Sequence, residues 1–594
     1  MTNAGISQSC LDHVYSNTPL KCDKPVVESA GDSDHLAVCV TKFTRELRFK
    51  PHTVKKRNYK DFDLAAFLTD VQQSSMNQDI LECTDLETAA KIFQQKFSKL
   101  LDKHAPVKIF QSRNHYLPYL SKETKLLMKD RDALKEEATK SGDEELFAEY
   151  KVKRNEVKSR LKKEEAEFYK NKFHDSNITI KKAWKTVYDI LGQVENKAPT
   201  KIRVGDKIIT APKALANTFN KIFLDKVRKL RNQTNTNPKI NPIERLKAWL
   251  LKSRNNVPEF TLKTIDNTKL RQILKKLKPS RSHGVDYIDA NSIKIAAPLI
   301  EESILHLVNL SISTGVFASL WKIQLVLPLF KKNDKLDGTN YRPVSHIIEL
   351  GKIVEYVVHD QVYNHFVEHK MFHGNHHGFL GDHSTATALV QLQDMWVTAS
   401  EDTKLSAALL LDLSAAFDIV DHSIFIEKLK VYKFSNQTIQ WFSSYLSNRK
   451  QIVQIESKLS DPEDLAEHGV PQGSILGPLI FILFNNDFPD NSVEGESVLY
   501  ADDDTVNVSD EDPVVLQQKI QREANRSTEW VRDNRMVCSG DKTKLLVIGT
   551  SQLRKSRLID KDIIIKINVC GQTVTESSSE IYWLTPHYQL FSGQ

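Results

Sequence analysis

Cysteine is scarce in this sequence, with six in 594 residues: Cys10, Cys22, Cys39, Cys83, Cys538 and Cys570. No two have the spacing of a zinc site, and six are too few for a disulfide framework, which suits a reducing compartment. Long apolar runs are missing around the acid-rich segments that matter most below. "PLIFILF" at 478–484 is about a third of a bilayer span. The opening "MTNAGISQSCLDHVYSN" has no charged start followed by an apolar stretch, so no secretory signal is visible. Nor is there a large excess of one charge. Lys plus Arg number 83 against 76 Asp plus Glu, a net charge of +7 that permits a nucleic-acid partner without demanding one. There is no internal repeat. These absences describe a soluble, intracellular protein with no membrane partner, its oligomeric state open, and long enough for two to four domains.

What is present is unevenly distributed. Residues 1–45 read as strands and turns, with "HLAVCV" a buried strand. From about 60 to 175 the pattern is helical and highly charged. Residues 151–172 hold nine basic and four acidic residues, which fits a solvated, salt-bridged helix and a nucleic-acid-contacting one about equally. "KIRVGDKIIT" at 201–210 predicts a hairpin turning at Gly205-Asp206, and "RNQTNTNPKINP" at 231–242 a linker. From about 265 onward, helices alternate with short apolar strands, so the expected class is α+β or α/β.

The stretch "SVLYADDDTVNV" at 497–508 puts Asp502, Asp503 and Asp504 between two runs of strand formers. A hairpin tipped by unpaired acids repels itself unless a cation neutralises it. Taken alone, such a triplet is more often a solvated turn. Upstream, Leu405 to Leu413 is nearly all apolar, the pattern of a strand buried on both faces, and it carries one acid, Asp412. An unpaired buried charge there costs several kcal/mol. Two such elements side by side would supply the hard oxygen ligands that a two-Mg²⁺ site requires. Between them, "EHGVPQGSILGPLIFILFNND" at 467–487 reads as a Gly- and Pro-rich turn entering an apolar helix. Further on, Asp512 caps and Pro513 opens a helix whose stripe is Leu516, Ile520, Ala524 and Val531.

The order "LLLDLSAAFD", "GVPQGSILGP", "YADD" resembles motifs A, B and C of the reverse transcriptases of non-LTR (LINE-type) retrotransposons. "WKIQLVLPLFKKNDKLDGTNYRPVS" at 321–345 resembles the fingers motifs, and "SRSHGVDYI" at 280–288 the entry to them. "HHGFLGDHSTATAL" at 376–389 resembles the segment before motif A, and "DNRMVCSGDKTKLLVIGT" at 533–550 motif D. The wording "HSTATAL" and "YADDDT" is most similar to the Rex or chicken-repeat branch. The resemblance implies an α+β, right-hand palm-and-fingers domain over 265–580 that copies an RNA template from a DNA primer using dNTPs. It implies two Mg²⁺ ions, with Mn²⁺ a possible substitute, held by Asp412, Asp502 and Asp503. Phe417 falls at the steric gate against a ribose 2′-OH. Gln472 and Gly473 fall along the template and nascent pair, and Arg342 with Lys331 or Lys332 at the triphosphate. Lys542 falls at the proton donor to pyrophosphate. Asp504 is expected to be a solvated turn residue. Leu380 and Ser539 stand where many relatives have Arg and Asn.

At the other end, "SCLDHVYSN" and "GDSDHLAV" resemble the last motifs of the apurinic-endonuclease-like domain that precedes such polymerases. That makes residues 1–45 a small β-rich remnant, with His35 the catalytic histidine, Asp12 its orienting partner and Asp34 an active-site acid. Residues 46–264 are then a mainly helical, charged linker region, and 581–594, "IYWLTPHYQLFSGQ", an aberrant tail where a thumb is expected. The expected function is RNA-directed DNA polymerisation. A catalytically silent nucleic-acid-binding relic is the alternative, and an RNA-dependent RNA polymerase or another palm enzyme is disfavoured by Phe417 and "PQG".

Overall fold

A computed structural model describes residues 26–29, 36–39, 52–112, 118–174, 178–190, 199–234, 237–253 and 257–577. The chain divides into two compact units, Met1–Thr53 with Gln111–Glu165, and Val54–Phe110 with Ala166–Gln594. The endonuclease-like candidates Asp12, Asp34 and His35 and the tail from 581 lie outside the described residues.

In the first unit, Val26–Ser29 and Leu36–Cys39 pair as an antiparallel ribbon. Helix Lys122–Ser141 starts on Ser121, whose hydroxyl accepts from the Thr124 amide, and stops at Gly142 in the left-handed conformation. Helix Glu144–His174 follows, with its residues as far as Glu165 in this unit, and Glu164 accepts hydrogen bonds from the Ser121 and Thr124 hydroxyls at 2.5 and 2.7 Å. Val157 alone of this helix is buried, so its many charges face solvent.

In the second unit the elements that build the site are, in chain order, α1 (Pro212–Arg231), α2 (Ala290–Thr314), β1 (Ile323–Phe330), β2 (Tyr341–His346), α3 (Glu349–Glu368), α4 (Thr385–Glu401), β3 (Leu405–Asp412), β4 (Lys450–Ile455), α5 (Leu476–Asn485), β5 (Glu496–Tyr500), β6 (Asp503–Asp510), α6 (Pro513–Asp533), β7 (Lys544–Ile548), β8 (Lys566–Val569) and β9 (Gln572–Thr575). Mixed helix and sheet is the class that the alternating pattern predicted. The hairpin expected at 201–210 also forms, with Ile202–Val204 paired to Lys207–Ile209 across Gly205 at φ +57°.

One five-stranded sheet contains the run β4-β1-β2, with the short strands Lys458–Leu459 and Glu463–Asp464 also paired to β4. β1 lies parallel to β4, with Ile323 opposite Lys450, and antiparallel to β2, with Pro328 opposite Pro343. Its cover is α1. Pro212 opens that helix, and Leu215, Phe219 and Phe223 recur every four residues to give it one apolar face. That face joins Val326, Tyr341, Val453 and Ile455 in one cluster, with Phe219 edge-on to Tyr341 at 5.0 Å. Thus α1, from within the charged 46–264 region, shares a core with strands more than a hundred residues downstream.

The second sheet runs β5-β6-β3-β7, antiparallel throughout. Strand β3 is buried on both faces, as its composition predicted, and the pleat sorts its residues. Leu405, Ala407, Leu409 and Leu411 enter the main core with Leu516, Ile520, Ala524 and Val531 of α6. Ala408 and Leu410 face Ala388, Leu392 and Trp396 of α4. Each fully buried leucine here contributes about 2–3 kcal/mol, which fixes the register because a one-residue slip would exchange the two faces. Helix α6 begins as expected, with the Asp512 carboxylate accepting from the Val514 and Val515 amides. Among the described residues one helix, α2, is long and apolar enough to cross a membrane; Ile293, Ile300, Ile304 and Leu307 lie in the protein core.

Candidate active site

The four acids read from the sequence gather at one end of the β5-β6-β3-β7 sheet. Tyr500 pairs with Asp503, so only Ala501 and Asp502 form the turn between β5 and β6, and Ala501 takes the left-handed conformation at φ +61°. Asp503 lies directly opposite Asp412, the last residue of β3. The turn is backed by the "HHGF" segment. The His377 amide donates to Leu499 O at 2.8 Å and the Leu499 amide to Asn375 O at 2.9 Å. Gly378 then sits so close behind Ala501 that a Cβ would lie 2.1 Å from the Ala501 nitrogen, which is why this position has no side chain.

Crowding like charges on a half-buried turn raises their proton affinity. Burial and then the Asp412 charge push Asp502 up, with Arg342 and Lys542 pulling against them. Burial, Asp502 and Asp412 together push Asp503 up to about 6. The expectation for Asp504 is corrected. It is 2 % exposed, paired with Leu411 inside the sheet, and burial holds its carboxyl well above the usual range. The cause is the pleat. Because the turn is so short, β6 begins at Asp503, and Asp504 falls on the face that carries Val506 and Val508 into the core.

Lys542 reaches this end of the sheet from the loop after α6. Its Nζ donates to Asp412 Oδ2 at 2.8 Å, while the neighbouring Ser539 amide donates to Asp412 O at 2.9 Å. Arg342 stands on β2 opposite Leu329. Lys331 feels Arg342, Lys542, Lys332 and Lys226, and burial followed by these four cations lowers its pKa. The structure therefore brings Asp412, Asp502, Asp503, Lys542, Arg342 and Lys331 into one electrostatic neighbourhood. Such a ring of cations beside carboxylates suits a polyanionic ligand.

Phe417 follows Asp412 through a turn in which Ala415 has φ +51°. Its half-buried ring stacks on Phe481 of α5 at 4.6 Å and meets Phe379 edge-on at 6.0 Å. The loop into α5 is fixed against it. Val470 donates to Phe417 O at 2.8 Å, and Gln472 Nε2 to Asp418 Oδ1 at 2.8 Å. Gly473 has φ +98°, and a Cβ there would lie 2.8 Å from Ser345 O of β2. The amides that open α5 are satisfied from α3, where buried Glu355 accepts from Ile475 at 2.7 Å and Leu476 at 3.3 Å. Gln472, Asp418 and Ser345 then line a cleft whose other wall includes Phe223, Lys226 and Arg228 of α1.

Two residues of this site were not anticipated. Asp418 is held up to about 6 by burial, against the Gln472 hydrogen bond and the Lys226 charge. Its place in "AAFD" was a signal for it, but Asp412, six residues earlier, carried the motif without it. Lys226 couples both to Lys331 and to Asp418, and nothing in a basic helix a hundred residues upstream could mark it. Among the described residues no three His, Cys, Asp or Glu side chains are drawn together tightly enough to cage a metal ion, and Lys542 occupies one Asp412 oxygen. The donor set nevertheless suits a hard divalent cation. It is all carboxylate oxygen, and the Asp412 charge adds to burial in raising the proton affinity of Asp502 and Asp503.

A site of paired strand-end carboxylates beside a basic strand and a glycine-rich turn is the kind that polymerising nucleotidyltransferases use. Residues 330–584 match the reverse transcriptase (RNA-dependent DNA polymerase) family, so the chain carries a reverse transcriptase domain. Over 523 residues, 84 % of this chain, it is 23 % identical to the RNA-directed DNA polymerase from mobile element jockey of Drosophila melanogaster, covering 55 % of that protein. It is 28 % identical over 272 residues, 44 % of this chain, to the jockey RNA-directed DNA polymerase of Drosophila funebris, covering 29 % of it. The chain thus spans about half the length of the first of these relatives and less of the second.

Proposed function

We propose that this chain is an RNA-directed DNA polymerase of a LINE-type retrotransposon, adding nucleotides from dNTPs to a DNA primer along an RNA template. The observation that carries the reading is the convergence of Asp412, Asp502 and Asp503 at one sheet end beside Arg342, Lys331 and Lys542, inside the region that matches the reverse transcriptase family. In this reading the β5-β6-β3-β7 sheet is the palm and the β4-β1-β2 sheet belongs to the fingers. The branch is the Rex-like one, and residues 1–45, with Asp12, Asp34 and His35, are an endonuclease remnant.

Asp412, Asp502 and Asp503 would hold divalent cations, two Mg²⁺ or Mn²⁺. Bound there, such ions lower the pKa of the primer hydroxyl and neutralise the transferring phosphoryl group. The protein's own groups do the rest. Arg342 and Lys331 orient the triphosphate, since a guanidinium fork matches phosphate oxygens. Phe417, stiffened by Phe481, stands against a ribose 2′-hydroxyl. Gln472, aimed by Asp418, and Gly473, which lets the backbone approach β2, lie along the template and nascent pair. Lys542, once it leaves Asp412, brings its ammonium group to departing pyrophosphate and donates a proton.

The test is primer extension on poly(rA) primed with oligo(dT), in Mg²⁺ and in Mn²⁺, beside Asp502→Asn with unchanged circular dichroism. Extension by the parent and its loss in the variant are expected. Equal extension by both would refute the assignment of the acids, and no extension by the parent would refute the proposed activity.

A further inference from the structure

Two of the sparse cysteines meet on the rim of the site. Cys538 precedes the loop that carries Ser539 and Lys542, the two residues bonded to Asp412. Cys570 occupies the two-residue turn of the β8–β9 hairpin, at φ +52° beside Gly571 at φ +80°. The hairpin turn rests on that loop. Gln572 Nε2 donates to Asp541 Oδ1 at 2.7 Å, and a Cβ on Gly540 would lie 2.9 Å from Val569 O. Cys570 is exposed and Cys538 half-buried beside Thr543 Oγ1 at 3.8 Å, and the contact of turn and loop brings the two thiols close enough for each to shift the other's proton affinity. Cys538 draws the Cys570 thiol below its ordinary value against the effect of burial, which favours the thiolate at Cys570. The arrangement pairs an accessible attacking sulfur with a shielded resolving one.

We propose that Cys538 and Cys570 form a redox modification site, a dithiol that closes to a disulfide and pins the Lys542 loop. The Cys570 thiolate attacks the sulfur–sulfur bond of a small-molecule disulfide such as oxidised glutathione, forming a mixed disulfide and releasing one thiolate. Cys538, giving up its proton to solvent, attacks the Cys570 sulfur, forms the Cys538–Cys570 bond and expels the second thiolate. Two cysteine thiols are oxidised and one disulfide is reduced to two thiols. The bond ties the hairpin to the loop whose lysine holds Asp412. A loop so tied cannot release Lys542, so the oxidised form is catalytically slow. This last consequence rests on the proposed polymerase reading, while the bond itself does not.

The experiment treats the full chain with oxidised glutathione or dithiothreitol, blocks free thiols with iodoacetamide and maps peptides by mass. A cross-linked peptide pair containing Cys538 and Cys570 is expected in the oxidised parent. In Cys570→Ser no cross-link is expected and Cys538 remains alkylated. Tryptic cleavage after Lys542 should slow at least ten-fold on oxidation of the parent and stay unchanged in Cys570→Ser. Full alkylation of both cysteines after oxidation, or a glutathione adduct persisting on Cys570, would overturn the site. A cross-link without slower cleavage would overturn the pinning. Primer extension, measured alongside, should fall at least ten-fold on oxidation and recover in dithiothreitol. A cross-linked protein that extends at the reduced rate would overturn the catalytic consequence, whereas a reduced parent that never extends refutes only the polymerase reading.

Discussion

Replacing Gly473 by Ala tests whether the turn into α5 is held by contact with β2 or only by its own backbone. Gly473 has φ +98°, where an L side chain costs about 1–2 kcal/mol. The added Cβ would also lie 2.8 Å from Ser345 O, so β2 or the loop must shift by several tenths of an ångström. Overpacking of this kind costs roughly 1–3 kcal/mol. Together the two effects give about 2–5 kcal/mol for Gly473→Ala. Two other glycines calibrate the sum. Gly205 has φ +57° with nothing within 4 Å of its Cβ position, so Gly205→Ala should pay the backbone cost alone, about 1–2 kcal/mol. Gly469 has φ +81° and would place its Cβ 2.5 Å from Asp418 O, so Gly469→Ala should be at least as harmful as Gly473→Ala. Urea unfolding followed by tryptophan fluorescence supplies the order, and primer extension on the same samples should show Gly473→Ala losing more rate than Gly205→Ala. If Gly473→Ala is no less stable than Gly205→Ala, β2 does not brace this turn and the account of the cleft fails.

Phe417→Ala should remove the half-buried ring stacked on Phe481, costing less than the about 3–5 kcal/mol of a fully buried phenylalanine, and admit ribonucleotides; unchanged rNTP discrimination in an active variant refutes the gate. Asp418 is held at about 6 against an ordinary 3.8, so the fold binds a proton that the unfolded chain releases. Its contribution is complete below about pH 4 and is lost as pH rises through 6, a fall of up to about 3 kcal/mol. Asp418→Asn should flatten that segment of a stability–pH curve, and an unchanged slope would contradict the burial. Asp504→Asn, a neutral isostere of a carboxyl already held well above its usual range, should raise stability at pH 8 and leave primer extension within about two-fold. A variant as inactive as Asp502→Asn would place Asp504 among the working acids.

Local chemistry made much of this structure legible. The apolar run ending at Asp412, the short hairpin over 497–508 and the cap at Asp512 are each specified by neighbours in sequence, and each forms where it was expected. Asp504 was misread because three adjacent acids look alike as letters, whereas a two-residue turn and a pleat of period two send the third to the opposite face. Lys226 was invisible for another reason. Its helix is docked by Phe219 and Phe223 against Val326, Tyr341 and Val453, and no short window contains both partners. The Lys542–Asp412 pair was half legible, since the sequence singled out both residues and only the fold joins them.

The docking of α1 sets a lower limit on what can be dissected from this protein. A recombinant fragment trimmed to residues 330–584, the extent of the family match, would discard α1 and nearly all of β1, the strand on which β4 and β2 both depend. Tyr341, Val453 and Ile455, now at most 5 % exposed, would face water. Their strands would offer unpaired edges to one another across molecules. Such a fragment should precipitate although every acid of the site is still encoded in it, and a fragment beginning before Ile202 should not.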